Sequence, residues 1–259
     1  MREIRGDPED PLSRGHICPK ALALKDLQED KDRIRTPLRR TQAGFSEVSW
    51  EEALSEAAEH LASIQKLHGP SAVAVYQGNP VVHNYGLMLF AQVFLKSLGS
   101  RSLFSATSVD QLPHMFASLL MFGHQLLLSV PDVDRTDFFL CLGANPLASN
   151  GSLMTAPGIE RRLRSLKARG GRLVVVDPRR TETARIADLH LAIPPGTDAW
   201  LLLGLLHVVF AEKLDRGGDL LSGAGDLARI VARYPPEEAA NATGLDPALM
   251  STGQISFSR

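Results

Sequence analysis

Two cysteines, Cys18 and Cys141, are all that 259 residues contain. A disulfide framework is therefore not expected, and a metal site built from cysteines alone is impossible within this sequence. Charge of one sign is missing as well, since Lys+Arg 28 stand against Asp+Glu 29 for a formal net charge of -1. That balance provides no basic face for the phosphates of a nucleic acid and no lysine-rich arm for anionic lipid, so neither is expected as a partner. The longest apolar run, Trp200 to Ala211, is interrupted by His207. It falls short of the roughly 20 residues that a spanning helix needs and reads as a buried helix, so no transmembrane segment is expected. The opening Met1-Arg2-Glu3-Ile4-Arg5-Gly6-Asp7 has no apolar stretch of a secretory signal, which reads as cytoplasmic. No strand pattern runs into G-x-G-x-x-G, so a plain NAD site is disfavoured.

What is present is a globular composition, 44% hydrophobic and 22% charged. The length suits one large or two medium domains, at roughly 100 to 200 residues each. Residues 1–48 are charged and punctuated by Pro8, Pro11, Pro19 and Pro37, without a sustained period, and read as an irregular arm. Ser49 with Glu52 forms a capping box that opens a helix over 50–67, with Ala53, Leu54, Ala57, Leu61 and Ile64 on one face and Gly69-Pro70 as its stop. Strand and helix patterns then alternate. Strands are expected at 72–76, near Leu103, at 137–142, 172–176 and 188–193. Helices are expected at 83–98, 109–128, 156–168 and 197–214, with a turn near Thr181 and one more short helix after Tyr234. Such alternation implies βαβ crossovers, hence an α/β fold of mostly parallel sheets with flanking helices. Met115, Met121 and Phe122 follow helical spacing and read as core, as does Cys141 inside an apolar strand. Turn-rich breaks fall at Pro131–Asp134 and at Asp215-Arg216-Gly217-Gly218, and the polar tail 251–259 ends without a packed element. The organisation is read as arm 1–48, first α/β segment 49–108 and second α/β segment 109–259.

In a parallel sheet, ligands gather outside the carboxyl ends of the strands, where loops and helix N-termini converge. Those ends carry Gln77-Gly78-Asn79-Pro80, Gly143-Ala144-Asn145-Pro146, Asp177-Pro178-Arg179-Arg180-Thr181 and Pro194-Pro195-Gly196-Thr197-Asp198. Gly143 and Gly196 allow close backbone approach, Asn145 can read a base or ribose edge, and Arg179 or Arg180 can pair with phosphate. Asp177 suits ribose hydroxyls; Asp198 suits either a purine's N–H groups or the cap of its own helix. Ordinary strand-to-helix punctuation explains any one of these loops. Their succession on consecutive strands points to a nucleotide.

In order and spacing, Gly143-Ala144-Asn145-Pro146, Asp177-Pro178-Arg179-Arg180-Thr181-Glu182-Thr183-Ala184, Ala187-Asp188 and Pro195-Gly196-Thr197-Asp198 resemble the molybdopterin oxidoreductases, from about Gly6 to Met250. That family includes formate dehydrogenases and nitrate reductases. The resemblance implies a bis(molybdopterin guanine dinucleotide) cofactor with molybdenum or tungsten. It sets Gly143 and Asn145 beside one pterin dinucleotide, Asp177, Arg179 and the neighbouring Thr181 on its guanosine and phosphate part, and Gly196 and Asp198 near the guanine.

The arm carries Gly6-Asp7-Pro8 and Ser13-Arg14-Gly15-His16-Ile17-Cys18-Pro19-Lys20, which look like the end of the family's iron-sulfur module. The resemblance makes Cys18 the last thiolate of a 4Fe-4S cluster and Lys20 a cation between cluster and pterin. The other thiolates would have to come from upstream of Met1, where a twin-arginine signal for periplasmic export would also lie. A departure concerns the metal, because Ser105 to Ser118 holds no cysteine and the usual ligand position falls near Met115 or Phe116. This leaves the remaining position to oxo, sulfido or water. His114 is the candidate acid/base group there, its ordinary titration range being suitable, although a helical histidine is more often a surface residue.

The sequence is thus expected to be a portion of an oxidoreductase acting on a small substrate such as formate or an oxyanion, with an electron-transfer partner and a chain continuing beyond both ends. Two other classes remain open: a non-catalytic electron-relay or scaffold subunit of the same fold, like the large iron-sulfur subunit of respiratory complex I, and a simple guanine-nucleotide module.

Overall fold

The computed structural model describes residues 3–151, 154, 156–215 and 222–251. Contacts divide the chain into two compact units, Met1–Leu22 with Val130–Arg259, and Ala23–Ser129.

The chain starts in the first unit with a short helix α1 (Pro19–Leu22). The unit Ala23–Ser129 then contains α2 (Leu24–Glu29) and an antiparallel hairpin, β1 (Leu38–Thr41) with β2 (Gly44–Glu47). Regular elements therefore interrupt the stretch that has no visible period, because a hairpin this short needs only local pairing. Helix α3 (Trp50–His68) follows, with the expected box: Ser49 Oγ accepts from the Glu52 N–H at 3.2 Å and Glu52 Oε2 accepts from the Ser49 N–H at 2.9 Å. Next come β3 (Val75–Gln77), α4 (Tyr85–Leu98), β4 (Leu103–Ser105) and α5 (Leu112–Phe122), with β3 and β4 paired in parallel. The Gln65 amide donates to the Leu98 carbonyl at 2.8 Å and so fastens α3 to the end of α4.

This unit buries little: among its described residues only Leu98, Ser100 and Ser118 are buried. The face expected on α3 is half-covered at Ala53 and Leu61, while Leu54 and Ile64 are exposed. Met121 and Phe122, expected in the core, are exposed at 73% and 48%, and Met115 is half-buried. Helical spacing places such residues on a face, but a two-stranded sheet is too small to cover it.

The other unit carries the sheet that matters for function. Strands β5 (Phe138–Leu142), β6 (Arg172–Val176) and β7 (Leu189–Leu191) pair in parallel in that order. The intervening helices are α6 (Pro146–Ser149), α7 (Ile159–Ala168) and α8 (Glu182–Ile186), followed by α9 (Asp198–Ala211), α10 (Ala224–Val231), α11 (Pro236–Thr243) and α12 (Ala248–Ser251). Side chains of β6 alternate between faces. Leu173 and Val175 join Ile159, Leu163 and Leu166 of α7 and Ala184 of α8. Val174 and Val176 join Leu201 and Leu205 of α9, Ala239 of α11 and Met250 of α12. Helices thus cover both faces, which is why β6 reads as an unbroken apolar run. The fold is α/β, with parallel sheets and flanking helices. After Tyr234 two helices form rather than one; 216–218 of the second turn-rich break, and the tail from 252, lie outside the described residues. Cys141 is in the core as expected, 5% exposed, and burial pushes its thiol up to about 11. No helix among the described residues is long and apolar enough to cross a membrane.

Asp188 anchors the start of β7. Its Oδ2 accepts from the Leu173 N–H at 2.8 Å, and its Oδ1 meets Lys167 Nζ at 2.8 Å. Partial desolvation pushes its carboxyl up, but the Leu173 N–H and Lys167 outweigh it and hold the group below its usual range. A depressed carboxylate contributes stability above its unfolded pKa that is lost as pH falls through the folded one. Asp188→Asn is expected to cost about 1 kcal/mol at pH 7. In urea unfolding, the gap from the parent should close below about pH 4; a gap constant with pH would show that charge is not what Asp188 contributes.

Candidate functional site at the strand ends

Parallel pairing puts the carboxyl ends of β5, β6 and β7 along one edge. Gly143 sits there at φ 56, its N–H donating to the Val176 carbonyl at 2.8 Å, and Gly196 sits at φ 85. A methyl group added at either would meet nothing within 4 Å among the described residues. Both glycines are therefore set by backbone conformation rather than crowding, and both leave open space beside the main chain.

Asn145 does something that its sequence context does not foretell. Its Oδ1 accepts from the Thr183 N–H at 3.2 Å and from Thr183 Oγ1 at 2.7 Å, while its Nδ2 donates to Glu182 Oε2 at 2.6 Å. Thr183, fully buried, in turn accepts from the Leu147 N–H at 3.2 Å. The loop after β5 is thus latched to the first turn of α8, and one N–H of the Asn145 amide remains for a ligand. The Asn145 amide holds the Glu182 carboxyl below its usual range, with smaller help from Arg179 and Arg185. Glu182 and Thr183 lie inside the segment that carries the family resemblance, but the sequence gives no sign that they bond Asn145, because only the tertiary fold brings positions 145 and 183 together.

Thr181 caps α8, its Oγ1 accepting from the Ala184 N–H at 3.1 Å. Asp177 closes a local turn, with Oδ1 accepting from the Arg179 N–H at 2.8 Å, and its carbonyl accepts from His190 Nε2 at 2.8 Å. Its Oδ2 makes no hydrogen bond among the described residues. Arg179 is exposed and 3.9 Å from Glu182, too loose a pair to immobilise it. Asp198 opens α9 without capping it: Thr197 holds the cap position, no side chain bonds the first turn, and the Asp198 carboxylate has no partner among the described residues. Of the two readings left open for Asp198, the cap therefore falls away.

Cys18 and Lys20 belong to the same unit, Cys18 half-buried and unpaired with another cysteine, Lys20 exposed on α1. Among the described residues no group of three or more His, Cys, Asp or Glu side chains could hold a metal ion. His114 is an exposed residue of α5 in the other unit.

Residues 33–254 match the family model for molybdopterin oxidoreductase. The chain is 31% identical to the F420-dependent formate dehydrogenase subunit alpha of Methanocaldococcus jannaschii over 95% of this chain and 36% of that one. It is 32% identical to the assimilatory nitrate reductase catalytic subunit of Bacillus subtilis over 80% of this chain and 28% of that one. Among solved structures it is similar to acetylene hydratase from Pelobacter acetylenicus, with a TM-score of 0.70 and 27% identity over 99% of this chain and 34% of that one. The chain therefore spans about a third of the length of these relatives. With its parallel strand ends, their open glycines and a match over most of its length, the chain belongs to the molybdopterin oxidoreductase family.

Proposed function

We propose that this chain supplies the guanosine-side cradle for a molybdopterin guanine dinucleotide in a molybdenum or tungsten oxidoreductase. The observation that carries the reading is the strand edge itself: two glycines with open space and two carboxylates with unused oxygens stand on one set of parallel ends. The donor set fits the group. Asp198 would accept from the N–H groups of guanine, the free Oδ2 of Asp177 from a ribose hydroxyl, and Arg179 would pair with phosphate. Thr181 holds the α8 turn that presents Arg179, and Asn145 fixes the loop bearing Gly143. The bound cofactor supplies a metal that exchanges electrons with a small substrate, while the protein provides orientation and electrostatics. The formate dehydrogenase and nitrate reductase relatives support formate or an oxyanion as the substrate class. On this reading Cys18 completes a 4Fe-4S cluster whose other thiolates come from outside this sequence, Lys20 lies between cluster and pterin, His114 serves as acid/base group, and electrons pass to a partner protein. The absence of cysteine from Ser105 to Ser118 is the observation favouring a non-catalytic relay or scaffold subunit instead.

The guanine reading is tested by calorimetric titration of the chain with GDP and ADP. GDP is expected to bind more tightly, and Asp198→Asn to weaken GDP about tenfold while leaving ADP unchanged, because one charged acceptor is worth roughly 1.5 to 3 kcal/mol. Equal affinities for the two nucleotides would sink the assignment. Metal and pterin analysis of the protein, purified from cells that make the cofactor, separates enzyme from scaffold: molybdenum or tungsten is expected, and its absence favours the scaffold.

A further inference from the structure

A second cleft, of about 510 Å³, opens between the arm and the start of α7, lined by Arg14, His16, Asn150, Gly158, Arg161 and Arg164. It contains none of the residues assigned to the cofactor at the strand ends and shares with the latch there only Leu147. Its lining is unbalanced in charge, because the three guanidinium groups of Arg14, Arg161 and Arg164 meet one carboxylate, that of Glu160. Arg14 and Arg162 share Asp134 at 3.2 and 3.1 Å, Arg164 holds Glu160 at 2.6 Å, and Arg161 has no ion-pair partner among the described residues. The donors also converge. A methyl group placed on Gly158 would stand 3.7 Å from Arg161 Nη2 and 3.8 Å from His16 Nδ1. Asn150 Nδ2 meets His16 Nε2 at 2.7 Å, and with the amide donating there the ring carries its proton on Nδ1, on the Gly158 side. Helix α7, ten residues long, begins at the same point, and no side chain among the described residues caps its first N–H groups.

We infer that this cleft binds a doubly charged tetrahedral oxyanion of the phosphate class, held by Arg161, the His16 Nδ1–H and the open N-terminus of α7. The arrangement offers a planar guanidinium, a neutral ring donor and main-chain donors around one point, and Glu160, the one carboxylate lining it among the described residues, is already paired with Arg164. The ion has two possible sources, free phosphate or the phosphate of a small organic ester, and the cleft has room for either.

Calorimetric titration of the purified chain at low ionic strength, with sodium phosphate and with glycerol phosphate, tests the inference. Saturable phosphate binding is expected, weakened at least tenfold by Arg161→Gln and unchanged by Arg40→Gln, which removes the same charge from the hairpin of the other unit. Arg161 is exposed on α7 and glutamine sustains a helix as well as arginine does, so the fold should survive. Tighter glycerol phosphate would identify an ester as the source, and equal or weaker binding would identify the free ion; both uphold the site. No saturable binding of either, or equal weakening by the two variants, would overturn it. The strand-end reading fails separately, since Arg161→Gln should leave the binding of guanosine, which has no phosphate, intact and Asp198→Asn should leave phosphate binding intact.

Discussion

Replacing Asn145 with alanine is expected to destabilise the unit that carries the strand ends by about 3 kcal/mol, lowering its melting temperature by roughly 10 °C. The size follows from what is left behind. The Thr183 hydroxyl and N–H are buried and both donate to Asn145 Oδ1. Deleting that oxygen strands two donors where water does not reach, and each such group costs about 1 to 3 kcal/mol. Thr183→Val should be milder, because the hydroxyl disappears together with its need for an acceptor, although the Leu147 N–H loses its partner. The double variant should then be less destabilised than the sum of the singles, by about 1 kcal/mol, as expected for groups in direct contact. Strict additivity in thermal unfolding would show that the latch contributes nothing as a pair. Loss of the latch should also weaken GDP binding, since the Gly143 loop and the Arg179 turn would no longer be held to one another.

Gly204→Val is expected to be as damaging, about 3 kcal/mol by urea unfolding. Gly204 is buried in the middle of α9, where a Cβ would come within 2.7 Å of the Ala239 Cβ on α11 and 2.9 Å of Met250 Sδ on α12. The methionine can yield by changing rotamer, but the alanine methyl moves only with its helix. Accommodation therefore separates α9 from α11, and with it the cluster that covers one face of β6. Gly225 supplies the contrast within the same unit. It lies in α10, where an added methyl group would meet nothing within 4 Å, so Gly225→Ala should be neutral or stabilising by up to about 1 kcal/mol. A Gly204→Val variant as stable as its parent would mean that this helix contact is not close-packed in solution.

The sequence by itself determined the class of fold and the neighbourhood of the site. Apolar runs such as Leu173 to Val176, separated by helical stretches, suffice for a parallel sheet covered on both faces, and β6 occupies the residues that the pattern assigns it. The Ser49 capping box was likewise readable, because hydrogen bonds between residues three apart depend on local geometry alone. The family, too, was legible from the strand-end motifs. Periodicity could not say whether an apolar helix face finds a partner: Met121 and Phe122 follow helical spacing yet lie exposed, because burial is a property of what surrounds a helix. The remaining decisions were tertiary. Asn145 looked like a base reader and is largely engaged by Thr183 and Glu182, Asp198 looked like a possible cap and has no partner among the described residues, and His16 meets Asn150 across 134 positions. A side chain's hydrogen-bonding partners are set by chain segments far apart in sequence, and only folding brings those segments within about 3 Å of one another.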